Sequence, residues 1–167
     1  MSEQAERAAL MTFLRAQRQS VLAVVDSLDD DRMRRVTVPS GWTPLGLIEH
    51  LGYAERFWFQ QVLTGQAAAL PWPPTASGDG QDDAFVTGHR LEEVLAFYRE
   101  QCRVSDQMLS STALAANPSG KVPADMAGEI HVVRDIVLHM IEETARHAGH
   151  LDIARELIDG RTGLGPR

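Results

Sequence analysis

The sequence predicts an all-α protein, a four-helix bundle with long connecting loops. Three observations carry that expectation. Four long stretches repeat apolar residues at helical spacing, breaks rich in Pro and Gly fall between them, and no stretch shows a convincing two-residue alternation. The 167 residues suit a single domain, residues 1–167, with one core.

The first helix is expected from about Glu3 to Leu28. Met11, Leu14, Val21, Leu22, Val25 and Leu28 mark its buried stripe. Asp29, Asp30 and Asp31 follow, then Arg32, Arg34 and Arg35, which read as a solvated turn. Pro39-Ser40-Gly41 breaks the chain. Thr43 as N-cap and Pro44 at the first helical position then open the second helix. It runs to about Leu63, with Leu47, Ile48, Leu51, Ala54, Phe57 and Trp58 on its apolar side and Glu49 and Arg56 on the other.

The connection from Thr64 to about Gly88 is too long to be idle in a compact domain. It holds Pro71, Trp72, Pro73, Pro74 and a polar run from Ser77 to Asp83. That run lacks the spacing and closing Glu of a calcium loop and is expected to face solvent. The third helix follows from about Arg90 to Leu109, with Leu91, Val94, Leu95, Tyr98, Cys102 and Leu109 inward. A second loop, Ser110 to about Met126, contains Asn117-Pro118 and Val122-Pro123. The fourth helix is expected from about Gly128 to Ile158, stopped by Gly160. Long connections allow crossovers, so a simple up-down order does not follow.

Bulk properties narrow the function. The net charge is −7, which disfavours a phosphate backbone as partner, and no basic stripe offsets it. No run of about 18 apolar residues predicts a membrane span, and the first residues lack a signal-peptide order, so a cytoplasmic location is expected. The single cysteine, Cys102, excludes an intramolecular disulfide and reads as a buried structural thiol.

The fourth helix carries the chemistry. Glu143 and His147 lie four residues apart, hence one turn apart on one face. His139 precedes Glu143 by the same step, and His150 follows His147 by three. Ile136, Met140, Thr144, Leu151 and Ala154 flank that face, so the ionisable groups lie beside the apolar stripe. A carboxylate there needs a partner, and a divalent cation satisfies a carboxylate and an imidazole together. A Glu-x-x-x-His pair is also commonly an exposed ion pair. His50 weighs toward a metal, because it sits among Leu47, Ala54 and Phe57 on a second helix; a lone His there also reads as a hydrogen-bonded core residue. His89 and His131 are expected at the surface near helix starts, and Trp42 and Trp58 as core or wall residues.

Two stretches resemble a known superfamily: Gly41-Trp42-Thr43-Pro44-Leu45-Gly46-Leu47-Ile48-Glu49-His50-Leu51, and Glu142-Glu143-Thr144-Ala145-Arg146-His147-Ala148-Gly149-His150-Leu151-Asp152. Together they resemble the DinB-like proteins, more closely the branch called mini-circle proteins. That superfamily also holds mycothiol-dependent maleylpyruvate isomerases and mycothiol or bacillithiol S-transferases. The resemblance covers nearly the whole chain. It implies a four-helix bundle with a metal site at one end, held by His50, Glu143 and His147. Many relatives use three histidines; the Glu here is similar to the isomerase branch.

His150 falls where many relatives have Gln and is expected behind the ligands or at the surface, with Trp42 near the pocket. The implied cofactor is a divalent metal, zinc first and nickel or iron as alternatives, with mycothiol as a co-substrate. The implied function is activation of a low-molecular-weight thiol for S-transfer to, or isomerisation of, a small electrophile. A hydrolase using bound water and a non-catalytic metal bundle are the alternatives. The partner expected is a small-molecule substrate, with no nucleic acid and no membrane, and a homodimer stays open. Arg146 reads as a surface salt-bridge partner, and the loop around Trp72 as a wall of the second-substrate pocket.

Overall fold

The computed structural model describes residues 2–66 and 85–163. Trp72 and the run from Ser77 to Asp83 lie outside the described residues. Five α-helices form, and no strand occurs among the described residues. They are α1 (Glu3–Val24), the single turn α2 (Asp30–Met33), α3 (Pro44–Arg56), α4 (Leu91–Ser111) and α5 (Val133–Asp159). The four long ones make the predicted bundle.

Ser2 caps α1 by accepting the Ala5 N–H at 3.2 Å. The helix stops four residues earlier than its apolar stripe does. Ser27 adopts a left-handed φ of 64°, which no continuing helix allows, yet Val25 and Leu28 stay buried in the turn. Asp29 caps α2 by accepting the Arg32 N–H at 2.9 Å. The expected solvated turn is therefore a short helix, and Arg34 reaches across it to the carbonyls of Thr87 and His89.

The start of α3 is as predicted: Thr43 Oγ1 accepts the Gly46 N–H at 3.1 Å, and Pro44 takes the first position. A π-helical turn, Phe57–Val62, continues it. The extra residue in that turn advances the inward stripe, so Trp58, Phe59, Val62 and Leu63 are all buried. The carbonyls of Val62 and Leu63 at its end accept N–H groups of Gly120 and Ser119 from the connection between α4 and α5.

The last helix starts five residues later than predicted from pattern. Asp135 accepts the N–H groups of His131 and Val132 at 2.9 Å each, which fixes the first turn there. Gly160, with φ 78°, ends it as expected.

Side-chain pairings give the helix directions. Glu6 meets Arg134, and the Val24 carbonyl meets Arg155, so α1 and α5 run parallel. Glu49 meets His89, and Gln60 meets Gln101, so α3 and α4 also run parallel. His50 meets Glu143, and Trp58 meets His139, so α3 and α5 are antiparallel. The four long helices therefore form two parallel pairs set antiparallel to each other.

Two apolar clusters fill the interior, one around Phe59, Leu109 and Ile136, the other around Leu45, Ile48 and Tyr98. Between helices lies a buried ionic group. Arg18 donates to both carboxylate oxygens of Glu55 at 2.7 and 2.6 Å, and to Asp106 at 2.7 Å. Burial opposes the guanidinium charge, but Glu55 more than offsets that and raises its pKa.

Candidate metal centre

His50 comes from the second turn of α3, and Glu143 and His147 from the middle of α5. The antiparallel packing of these helices brings the three together. Glu143 Oε1 lies 3.1 Å from His50 Nε2 and 3.0 Å from His147 Nε2. One ligand atom from each residue falls within 4.8 Å of the others. The ring centroids of the two histidines stand 5.1 Å apart, nearly perpendicular. Sequence reasoning named these three, and the fold juxtaposes them. The cluster lies level with the N-terminal ends of α3 and α4, while α1 and α5 run past it.

The donor set suits a divalent ion. Tetrahedral coordination at about 2.0–2.1 Å puts neighbouring donors about 3.3 Å apart. The observed separations of 3.0 and 3.1 Å fall within a few tenths of that. Two imidazoles and one carboxylate leave a coordination position for another group. His147 is buried, while the His50 and Glu143 side chains keep 18% and 19% exposure. The hydrogen bonds from His147 and His50 hold the Glu143 carboxyl well below the usual carboxylate range, against the opposing effect of burial. The group is anionic at neutral pH, the state a cation requires.

The surroundings orient the ligands. His147 Nδ1 lies 3.2 Å from His150 Nδ1. Burial, then the nearby His147 and Arg146, pushes the His150 pKa down, which favours its neutral form; the tautomers of the two rings set which Nδ1 donates. His150 is exposed at the surface while its ring meets that of His147. Trp42 stands 6.2 Å from its ring. His139 does not join the cluster; its ring packs against Trp58 at 4.6 Å. Arg146 is exposed, 3.8 Å from Glu142, as predicted for a surface pair. His131 is exposed.

Three neighbours were not foreseen. Phe85 stands against His50 at 4.7 Å and His147 at 5.7 Å. No periodic pattern marks it, so only the fold could place it. Glu49, assigned by helical phase to the polar side, is 6% exposed and meets His89 Nδ1 at 2.5 Å. The connection returning before α4 covers it, which the phase of α3 alone cannot show. His89 itself is exposed, as predicted, but it anchors that connection. Cys102 takes no part; burial, and then the nearby Glu55 charge, pushes its thiol up to about 12.

A helical bundle with two imidazoles and a carboxylate converging between antiparallel helices belongs to the class of bundles that build sites from inward side chains of facing helices. Within that class the family is defined. The family model for mycothiol S-transferases matches residues 9–160, and the chain belongs to that family. No curated protein and no solved structure matches the chain. No described helix is long and apolar enough to cross a membrane.

Proposed function

We propose that the protein is a metal-dependent S-transferase that joins a low-molecular-weight thiol, mycothiol, to a small electrophile. The observation that carries this is the convergence of His50, Glu143 and His147 in a chain of the mycothiol S-transferase family. These three residues would hold a divalent ion, zinc in the first place. When bound, that ion supplies positive charge that keeps a thiol as its nucleophilic thiolate near neutral pH.

The remaining work falls to the chain. His150 pairs with His147 through their Nδ1 atoms, which orients that ring. Glu143 stays ionised because both rings favour its anion. Phe85 stands against both imidazole rings. In the reaction the thiol loses its proton to solvent, and its sulfur forms a bond to the electrophilic carbon. The leaving group departs with the bonding electrons. The nucleophile comes from outside the protein, since the chain's own thiol is held protonated.

The test pairs metal analysis with thiol dependence. Purified protein is expected to take up zinc, nickel or iron at micromolar concentration, and His147→Ala to abolish uptake. Turnover of an electrophile such as a chlorodinitrobenzene should require added thiol. Turnover that is unchanged without any thiol would point to bound water as the nucleophile and overturn the transferase reading. Uptake that survives His147→Ala would overturn the ligand assignment.

A further inference from the structure

The described chain resumes at Phe85 and runs to the start of α4, and its first contact is with the N-terminus of α3. The Phe85 carbonyl accepts two hydrogen bonds from Thr43, from N–H at 3.0 Å and from Oγ1 at 3.2 Å. It can come so close only because residue 46 lacks a side chain. A Cβ placed on Gly46 would lie 1.8 Å from the Phe85 oxygen and 2.6 Å from the Val86 nitrogen. Both atoms are backbone and neither can rotate away. Gly46 has an ordinary helical conformation, so the requirement is space, not backbone freedom.

That fixture decides where the Phe85 side chain goes. Its ring stands 4.7 Å from His50, at an interplanar angle of 82°, and 5.7 Å from His147. A perpendicular aromatic contact limits rotation of the imidazole. His50 has to present Nε2 toward Glu143, and a ring free to turn about its χ2 would spend part of its time pointing elsewhere. His147 is held from behind by His150, whereas Phe85 stands directly against His50.

We propose that Phe85 is a positioning residue of the metal centre, seated there by the Gly46 backbone contact. It holds the His50 ring in its ligating orientation. The inference rests on the metal-site reading above, and its test separates the two. Gly46 lies one helical turn before His50, and the atoms nearest a Cβ there are backbone atoms of residues 85 and 86, so Gly46→Ala acts first on that contact.

The experiment compares full-length wild type, Phe85→Ala, Phe85→Tyr and Gly46→Ala, with Gly128→Ala as a control because a Cβ there meets nothing within 4 Å. Two readouts are taken. The first is the ring NMR signals of His50 in chelator-treated protein, assigned with His50→Gln. The second is cobalt(II) affinity from visible absorption. Phe85→Ala and Gly46→Ala should each shift the His50 signals and weaken cobalt binding by roughly tenfold or more, the range for residues that orient a ligand. Phe85→Tyr should restore both. If Gly46→Ala fails to fold, Phe85→Ala decides alone, because it leaves the backbone contact intact. Cobalt affinity unchanged in Phe85→Ala would overturn the proposal, because loss of the Phe85 ring current moves the His50 signals whatever the orientation of that ring. A wild type that binds no cobalt would overturn the metal reading, and loss of the His50 ring NOEs to α5 in Phe85→Ala would then still support the ring-positioning role.

Discussion

Replacing Glu55 by Gln tests what the buried ionic group contributes. Arg18 and Glu55 side chains keep only 6% and 1% exposure, and two hydrogen bonds of 2.7 and 2.6 Å join them. Glu55→Gln keeps the volume and removes the charge, leaving Arg18 with Asp106 alone. Breaking a buried pair by removing one partner costs about 3–5 kcal/mol, because the remaining charge cannot be resolvated. Asp106 still compensates Arg18 here, at 26% exposure and shared with Arg15, so the cost should fall near the lower end, about 3 kcal/mol. In a chain of this length that corresponds to a melting point lower by roughly 6–12 °C. Arg18→Met should cost a similar amount, since it strands Glu55. The double variant Arg18→Met/Glu55→Leu removes both charges and fills the space, and should lie within about 1 kcal/mol of wild type. Urea unfolding followed by far-ultraviolet circular dichroism gives all four stabilities. A Glu55→Gln cost under 1 kcal/mol, or a double variant as unstable as the two singles summed, would refute the reasoning.

Other expectations concern the centre. His150→Leu should weaken metal binding roughly 10- to 100-fold by freeing the His147 ring, while His150→Gln keeps a hydrogen-bonding group and most of the affinity, as isothermal titration would show. Cys102 should stay unlabelled by iodoacetamide at neutral pH until denaturant is added, because its thiol titrates at about 12; labelling of the native protein would contradict that. The Glu143 carboxyl holds its proton less readily folded than at its ordinary value of 4.5, so below that pH the unfolded chain binds more protons. Its contribution to stability is therefore complete above pH 4.5 and lost as pH falls toward the folded value. Urea midpoints of chelator-treated protein at pH 6, 4 and 3 should drop less steeply for Glu143→Gln than for wild type. Thr43→Ala should cost about 1 kcal/mol through the lost α3 cap, seen as a lower urea midpoint.

Much of this arrangement is written locally and so can be read from the chain. Thr43-Pro44 and Gly160 act within a few residues, and the structure uses both as caps. His50, Glu143 and His147 betray themselves by sharing faces with core residues. The same signal was present for Arg18, one turn after Leu14 and before Val21, and for Glu55, one turn after Leu51. A single charge in a stripe has no spacing partner on its own helix, so the pattern of one helix does not distinguish it from an exposed residue. Glu49 and Phe85 are different in kind. The burial of one and the placement of the other depend on where a long connection returns, and helical phase holds no information about that. The late start of α5 is intermediate: Asp135 can accept from backbone N–H groups only after the preceding residues turn.

The contact between His50 and Glu143 joins points 93 residues apart in the sequence. This chain has one cysteine and no means to tie itself covalently. A ligand bound jointly by the two residues would act as a reversible cross-link, closing a loop longer than most disulfides close. In the chain-entropy account, closing about 100 residues restricts the unfolded chain by about 4–5 kcal/mol. That ligand would then also be a clasp on the bundle, and its departure would loosen the two helices that hold it.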